Sequence, residues 1–193
     1  MGASAARPAA DLPQEEVDAL CACTPLSPVD IAAIRTKFIA LAPERGRLSP
    51  AQLHRLPELK VNPLGLRLCE VFSAQGDGSL DFVELCDLYG SMSKAAPIDV
   101  KLSVAFRLYD VDGDGFIGRE DVQRVLELIA GAPGDYYGAL VTVDEARSIV
   151  SRVLSEGDFD GNEKISPSEF SKLLKRVPDF SAKFVMSLSV TPT

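Results

Sequence analysis

The chain has one histidine and no cluster of lysine and arginine in its 193 residues, and each shortage argues against a class of function. The single histidine, His54, has no evident nucleophile or carboxylate partner, and no cofactor-binding loop is recognisable, so we expect neither an enzyme nor a small-molecule substrate site. The net charge of −8 without a basic cluster argues against nucleic-acid binding, because phosphate-binding surfaces need grouped Lys and Arg.

Long apolar runs and disulfide patterns are missing as well. No apolar run approaches the roughly 18 residues of a membrane-spanning helix, and the N-terminus does not have the pattern of a signal peptide. The four cysteines have neither disulfide spacing nor zinc-ligand spacing: Cys21, Cys23, Cys69 and Cys86. We therefore expect reduced thiols in a cytoplasmic protein, with Cys69 and Cys86 on apolar helix faces.

What the chain does contain is an acidic loop between two stretches of helical apolar periodicity. Residues 110–121 read DVDGDGFIGRED, with carboxylates at positions 1, 3, 5 and 12 and a glycine, Gly115, at position 6. A twelve-residue loop with this spacing supplies the oxygens that a hard divalent cation needs, which is the EF-hand pattern. Ile117 is expected to pair with a partner loop through a short strand. The predicted ligands are Asp110, Asp112, Asp114, the Phe116 carbonyl and Asp121.

A second copy of the pattern follows in residues 158–169, which read DFDGNEKISPSE. One residue departs from the pattern, because position 6 is Glu163 instead of glycine. A residue with a side chain must there adopt a left-handed conformation at a cost of about 1–2 kcal/mol, so we expect a weakened site. The predicted ligands are Asp158, Asp160, Asn162, the Lys164 carbonyl and Glu169.

Two earlier copies are degenerate. Residues 73–84, SAQGDGSLDFVE, keep the glycine at position 6 and the final Glu84, but Ser73 and Gln75 replace the two leading carboxylates. Residues 42–52 contain Glu44 as their one carboxylate and are a residue short of a full loop. We expect both hands to fold without metal.

These four copies predict an all-α fold of four EF-hands paired in two lobes, because each hand buries its apolar face against a partner. Residues 1–26 are expected to be a flexible segment with a short helix from about Gln14 to Cys21. Residues 27–94 are the metal-free pair, 95–177 the metal-binding pair and 178–193 a C-terminal extension. Capping residues followed by proline predict four helix starts, and a capping box predicts a fifth at Thr142. The four are Ser27–Pro28, Ser49–Pro50, Asn62–Pro63 and Ser166–Pro167.

Both ends of the chain bear on function. Gly2 with small residues after it suggests N-myristoylation, although Ala6 stands where Ser or Thr is preferred. One acyl chain gives only reversible membrane association, so a peripheral location at a membrane is the alternative to a purely cytoplasmic one. The tail after Val177 is more apolar than the last hand needs. It is either a competitor that a target displaces from a groove or a permanent strap on the core, and the sequence leaves both open.

The stretch LPELKVNP at residues 56–63, followed by LCEVF at 68–72, resembles the calcineurin B-like branch of EF-hand proteins. Within that branch, four features resemble the calcium- and integrin-binding proteins most. They are the short linker at 96–101, the AFRLYD sequence at 105–110, the aspartate that closes the third loop, and VPDF at 177–180. The resemblance covers about residues 28–188.

The resemblance implies two silent N-terminal hands and two metal-binding C-terminal hands. It also implies a non-catalytic adaptor whose apolar groove receives an amphipathic helix from a membrane-protein tail or a kinase, with the C-terminal extension able to cover that groove. Glu163 and Ala6 depart from what the resemblance implies for metal affinity and for membrane anchoring.

The leading functional hypothesis is therefore a Ca²⁺- and Mg²⁺-binding regulatory adaptor. The alternatives are a calcineurin B-like regulatory subunit of a phosphatase or kinase, and a simple calcium buffer. Asp121 adds a prediction about the metal, since aspartate is one methylene shorter than the usual glutamate and suits octahedral Mg²⁺ better than Ca²⁺.

Overall fold

The computed structural model describes residues 12–44, 46–130 and 142–186, and the regular secondary structure of these residues is helical apart from two short strands. The all-α prediction is confirmed. These residues form two compact units, the first with residues 12–97 and 185–186 and the second with residues 98–184. The predictions for Gly2 and for the chain after Met186 concern residues outside those described.

The first unit contains the two hands without complete ligand sets. Its elements in chain order are α1 Gln14–Cys23, α2 Pro28–Ala40, β1 Arg47–Leu48, α3 Pro50–Leu53, α4 Pro57–Lys60, α5 Gly65–Phe72, β2 Leu80–Asp81 and α6 Phe82–Ser91. Helices α2 and α3 begin at proline after Ser27 and Ser49, as predicted, and each serine also forms a capping box. These boxes satisfy backbone N–H groups that the first turn of a helix leaves without partners.

One predicted helix start in this unit is wrong. Asn62 does not cap a helix: its Oδ1 accepts from the Leu64 N–H at 2.9 Å in a local turn, and α5 begins only at Gly65. A helix break separates Leu53, which ends α3, from Leu56. Pro57 starts a new helix with Leu56 as its N-cap, because proline lacks the N–H that would continue the preceding turn.

The two hands of the first unit are joined by the antiparallel pairing of β1 with β2, in which Leu48 faces Leu80. Helices α2 and α6 also pack together. The rings of Phe38 and Phe82 meet edge to face with centroids 5.6 Å apart. A large buried side chain of this kind stabilises the fold by about 1.5–3 kcal/mol.

A buried charged group adds to this packing. Glu58 on α4 accepts hydrogen bonds from Lys37 on α2, at 2.6 Å, and from the Tyr89 hydroxyl on α6. The side chain of Glu58 is only 6% exposed. The carboxylate therefore connects three helices inside the first unit.

The second unit contains the two hands with acidic loops. Its elements are α7 Ile98–Tyr109, α8 Arg119–Ala130, α9 Val143–Gly157, α10 Pro167–Leu174 and α11 Phe180–Lys183. Thr142 forms the predicted capping box of α9, and α10 begins after Ser166 as predicted, where the serine also forms a capping box. The core is a cluster of eight buried residues from both hands: Ala105, Phe106, Ile117, Val122, Val150, Leu154, Ile165 and Phe170.

The first part of the C-terminal extension packs on this core. Phe180 and Phe184 stack with ring centroids 5.3 Å apart and contact the core cluster from outside. Lys101 on α7, which is completely buried, donates from Nζ to the Ser181 carbonyl at 2.7 Å. Burial lowers the pKa of the Lys101 ammonium. The extension therefore occupies apolar surface of the second unit through α11.

Within the described residues no single helix is long and apolar enough to cross a membrane. Helices α1 and α2 reach the required length and apolar composition only when they are taken together, and the chain bends by 109° between them.

Candidate metal centre

The third loop brings its leading carboxylates together between α7 and α8. One oxygen each of Asp110, Asp112 and Asp114 lies within 4.8 Å of the others. The loop can turn this sharply because Gly115 adopts φ +85°, a conformation that side chains rarely allow. Its N–H donates to Oδ2 of Asp110 at 3.1 Å, which helps to fix that carboxylate.

The closing residue of this loop, Asp121, is buried and holds the loop shut from its far end. Its Oδ1 accepts from the Val111 N–H at 2.8 Å, and its Oδ2 accepts from the Gly118 N–H at 2.8 Å. Asp121 is not part of the oxygen cluster formed by the three leading carboxylates. A side chain one methylene shorter than glutamate reaches the loop backbone but extends less far towards the centre.

The fourth loop forms a second cluster between α9 and α10. One oxygen each of Asp158, Asp160 and Glu169 lies within 4.8 Å of the others. Here the closing glutamate belongs to the cluster, and it also accepts from the Phe159 N–H at 2.8 Å. Glu163 adopts φ +64°, so the predicted left-handed conformation at position 6 is confirmed.

The remaining predicted ligands lie on the same two loops. The Oδ1 of Asn162 accepts from the Lys164 N–H at 2.9 Å, which orients the amide within the fourth loop. Phe116 and Lys164 each precede the isoleucine that joins the two loops, Ile117 or Ile165. The backbone carbonyls at these two positions are the oxygens that an EF-hand offers at position 7.

The two loops are paired directly. Ile117 and Ile165 exchange both backbone hydrogen bonds at 2.9 Å, so the predicted pairing is confirmed, although it is a single antiparallel bridge and not a strand. Their side chains are buried in the core cluster. The two loops are therefore connected through both the backbone and the core.

Ionisation of the carboxylates differs between the two clusters. Burial raises the pKa of Asp110, and the charges of Asp121 and Asp114 add to that rise. In the fourth loop, hydrogen bonds from the Ser166 hydroxyl and N–H and from the Phe159 N–H lower the pKa of Glu169 to about 2. A bound cation would offset the mutual repulsion that raises the pKa of Asp110.

The donor chemistry of both clusters fits a hard divalent cation, since every predicted ligand is an oxygen and most are carboxylates. Among the described residues, these are the two groups of acidic, cysteine or histidine side chains close enough to share an ion. In the second loop, by contrast, Oδ1 of Asp77 accepts from the hydroxyls of Ser73 and Ser79 at 3.0 and 2.7 Å. Internal donors thus occupy that carboxylate oxygen.

Sequence reasoning missed two charged residues of functional interest. Arg47 from the first hand contacts the second loop, and Lys101 holds the C-terminal extension. The one sequence signal for Arg47 is its position directly after Gly46, at the point where the degenerate first loop leads into β1. No local signal marks Lys101, because its partner lies 80 residues away.

Comparison with known proteins gives a consistent result. A family model described as an EF-hand domain pair matches residues 99–175. The chain is 32% identical over 183 residues to calcium and integrin-binding family member 2 of Drosophila melanogaster, covering 89% of this chain and 93% of the relative. It is 32% identical over 172 residues to the protein of that name in Ovis aries, covering 84% and 94%.

A differently named relative is similar over the same extent. Human calcium and integrin-binding family member 3 is 30% identical over 181 residues, covering 88% of this chain and 92% of the relative. With paired EF-hand loops in the structure and relatives that match almost end to end, this chain belongs to the calcium and integrin-binding family.

Proposed function

We propose that the protein is a regulatory adaptor that binds Ca²⁺ and Mg²⁺ in its third and fourth hands and receives an amphipathic helix of a target protein on its second unit. The observation that carries this proposal is the pair of oxygen clusters, each within 4.8 Å, on loops joined through Ile117 and Ile165. Because both isoleucines are buried in the core cluster, metal in the loops would act directly on the apolar interior.

The metal assignment differs between the two sites. Glu169 is part of its cluster and can close the fourth loop on Ca²⁺ with both oxygens. Asp121 lies outside the cluster of its loop and is better suited to the smaller shell of Mg²⁺. We therefore propose that the third hand holds Mg²⁺ when calcium is scarce.

The apolar surface for a target is argued from the extension that covers part of it. Phe180 and Phe184 pack as an aromatic pair against the core cluster of the second unit. An amphipathic helix presents apolar side chains at similar spacing and can take the same place. The relatives' name points to integrins, so the cytoplasmic tail of an integrin is the first target to test.

Location forms part of the same proposal. All four cysteines are free thiols, as in a protein of the cytoplasm. Reversible association with a membrane would follow if Gly2 carries a myristoyl group, which mass spectrometry of the protein from cells would show.

The metal test is calorimetric titration of the full chain with Ca²⁺, with and without Mg²⁺. Asp110→Asn and Asp158→Asn are each expected to weaken one site, whereas Asp144→Asn, which removes an exposed carboxylate outside the loops, should weaken neither. Uptake of neither ion at millimolar excess would refute the proposal. Binding without any increase in the fluorescence of an apolar dye would favour a calcium buffer.

The target test uses a synthetic amphipathic helix from an integrin tail. Binding is expected to need a divalent ion, and truncation after Val177 decides the role of the extension. Tighter binding by the truncated chain would identify the extension as a competitor, whereas aggregation of that chain would identify a permanent strap. Equal binding with and without metal would contradict the regulatory role.

A further inference from the structure

The guanidinium group of Arg47, which belongs to the first hand, contacts the loop of the second hand. Its Nη2 donates to the Ser79 carbonyl at 2.7 Å and to Oε2 of Glu84 at 2.9 Å. Its Nε donates to the Ser79 hydroxyl at 2.9 Å, and its Nη1 lies 3.4 Å from Oδ2 of Asp81. One side chain therefore bonds to three residues of the neighbouring loop.

These contacts fall on the oxygens that an EF-hand offers to a cation. Counted from Ser73, the residues are at positions 7, 9 and 12 of the second loop, and Ser79 is bound through the backbone carbonyl that position 7 contributes. The pairing of β1 with β2 brings this about, since Arg47 faces Asp81 in that register. The positive charge of Arg47 thus lies among the oxygens that would bind a metal ion in a complete EF-hand.

The second loop is closed in the same way as the fourth loop. Glu84 accepts from the Ala74 N–H at 2.9 Å and from the Asp81 N–H at 2.7 Å. Glu169 makes the equivalent bonds to the second and ninth residues of its own loop, at 2.8 and 2.9 Å. The second loop thus has the closed form although Ser73 and Gln75 replace its leading carboxylates.

We propose that Arg47 is an internal cation that takes the place of a metal ion in the second hand, both closing its loop and keeping divalent ions out. Arginine suits this role because its planar fork donates to several acceptors at once and is always protonated. Its side chain is only 23% exposed, so solvent screens the contact with Glu84 less than it would screen a pair on the open surface.

This internal charge would make the two units respond differently to calcium. The first unit stays closed whatever the concentration of calcium, because its cation is covalently part of the chain. Only the hands of the second unit would then respond to metal. This consequence goes beyond the proposed function. Its tests compare variants of the first unit with one another, so their outcome does not depend on whether the third and fourth hands bind an ion.

The first test measures hydrogen exchange of amides 73–84 in the full chain with a chelator present. Arg47→Met is expected to speed their exchange by at least about tenfold, because the loop loses its internal cation. Arg55→Met removes an exposed arginine of the same unit and should leave exchange unchanged. Unchanged exchange in Arg47→Met would overturn the closing role, and Arg47→Gln replaces that variant if it does not fold.

The second test asks whether Arg47 keeps ions out. Ser73→Asp with Gln75→Asp restores the leading carboxylates, and calcium binding is counted by equilibrium dialysis with and without an added Arg47→Gln change. The chain that also carries Arg47→Gln should bind one more calcium ion than the double variant, or bind that ion at least about tenfold more tightly. The reason is that Arg47, while it occupies the ligands, lowers the apparent affinity in proportion to the fraction of chains in which they are occupied. Equal extra binding in both variants, or none in either, would overturn the proposal.

Discussion

The ammonium nitrogen of Lys164 lies 2.6 Å from Oδ2 of Asp114, so an ion pair joins the fourth loop to the third. The backbone of Lys164 belongs to one predicted metal site while its side chain contacts a predicted ligand of the other. The ammonium also lies 5.4 Å from the centre of the Phe116 ring. The hydrogen bond from Lys164 lowers the pKa of Asp114, which keeps that carboxylate charged.

This ion pair predicts that Lys164→Gln tightens metal binding by the third hand. The change removes a positive charge that competes with the cation for Asp114 and leaves the Lys164 backbone carbonyl in place. Because both side chains are partly exposed, the gain should be only about two- to fivefold and should shrink at high salt. Calorimetry at two salt concentrations measures it.

Lys172→Gln is the matched control, since it removes the same charge from an exposed position on α10. It should change affinity less than Lys164→Gln does. Equal effects of the two substitutions would show that net charge, and not the contact with Asp114, governs binding.

Asp121 leads to a prediction about metal selectivity. In Asp121→Glu the added methylene should carry the carboxylate into the oxygen cluster, as Glu169 already does in the fourth loop. The preference of the third hand for Ca²⁺ over Mg²⁺ is then expected to rise by at least about tenfold, because bidentate closure suits the larger ion. Competition calorimetry measures the ratio, and an unchanged ratio would contradict this account of the site.

Much of this architecture follows from local sequence. The loop spacing predicted the clusters of leading carboxylates, and Gly115 and Glu163 were expected at left-handed positions because of their place in the repeat. Capping serines predicted the starts of α2, α3 and α10, since a cap depends on residues three apart.

The failures have a common cause, which is competition from contacts that spacing does not reveal. Asn62 looks like a cap, but its side chain satisfies the Leu64 N–H in a turn before the helix. Arg47 acts on a loop 32 to 37 residues away, and only the register of β1 with β2 brings it there. Neither outcome can be derived from hydrophobic periodicity.

Glu163 allows the cost of a left-handed side chain to be measured. Glu163→Gly should stabilise the second unit by about 1 kcal/mol relative to Glu163→Ala, because both substitutions remove the charge and only glycine removes the strain. Chemical unfolding with a chelator present measures the difference. If glycine and alanine gave equal stability, the loop would bear no strain at this position, and the expected weakening of the fourth site would need another cause.

The buried carboxylate of Glu58 predicts how the first unit responds to acid. Burial alone would raise its pKa, but hydrogen bonds from Lys37, Tyr89 and the backbone, together with the charge of Lys37, outweigh burial and hold the pKa below the ordinary value for glutamate. A carboxylate whose pKa is lower in the folded than in the unfolded state stabilises the fold at pH values above its unfolded-state pKa. This contribution is lost as the pH falls through the folded-state pKa.

Glu58→Gln should therefore cost about 1–3 kcal/mol near neutral pH, because it removes a charged acceptor from Lys37 and Tyr89 inside the first unit. The gap between this variant and the parent chain is expected to narrow as the pH falls below about 4.5, the ordinary value for glutamate. Urea unfolding of the chelated protein at several pH values measures the gap. Glu16→Gln, on the exposed face of α1, removes the same charge without a buried partner and should change stability little. A gap for Glu58→Gln that stayed constant down to the acid limit of folding would mean that the bonds from Lys37 and Tyr89 do not depend on the carboxylate's charge.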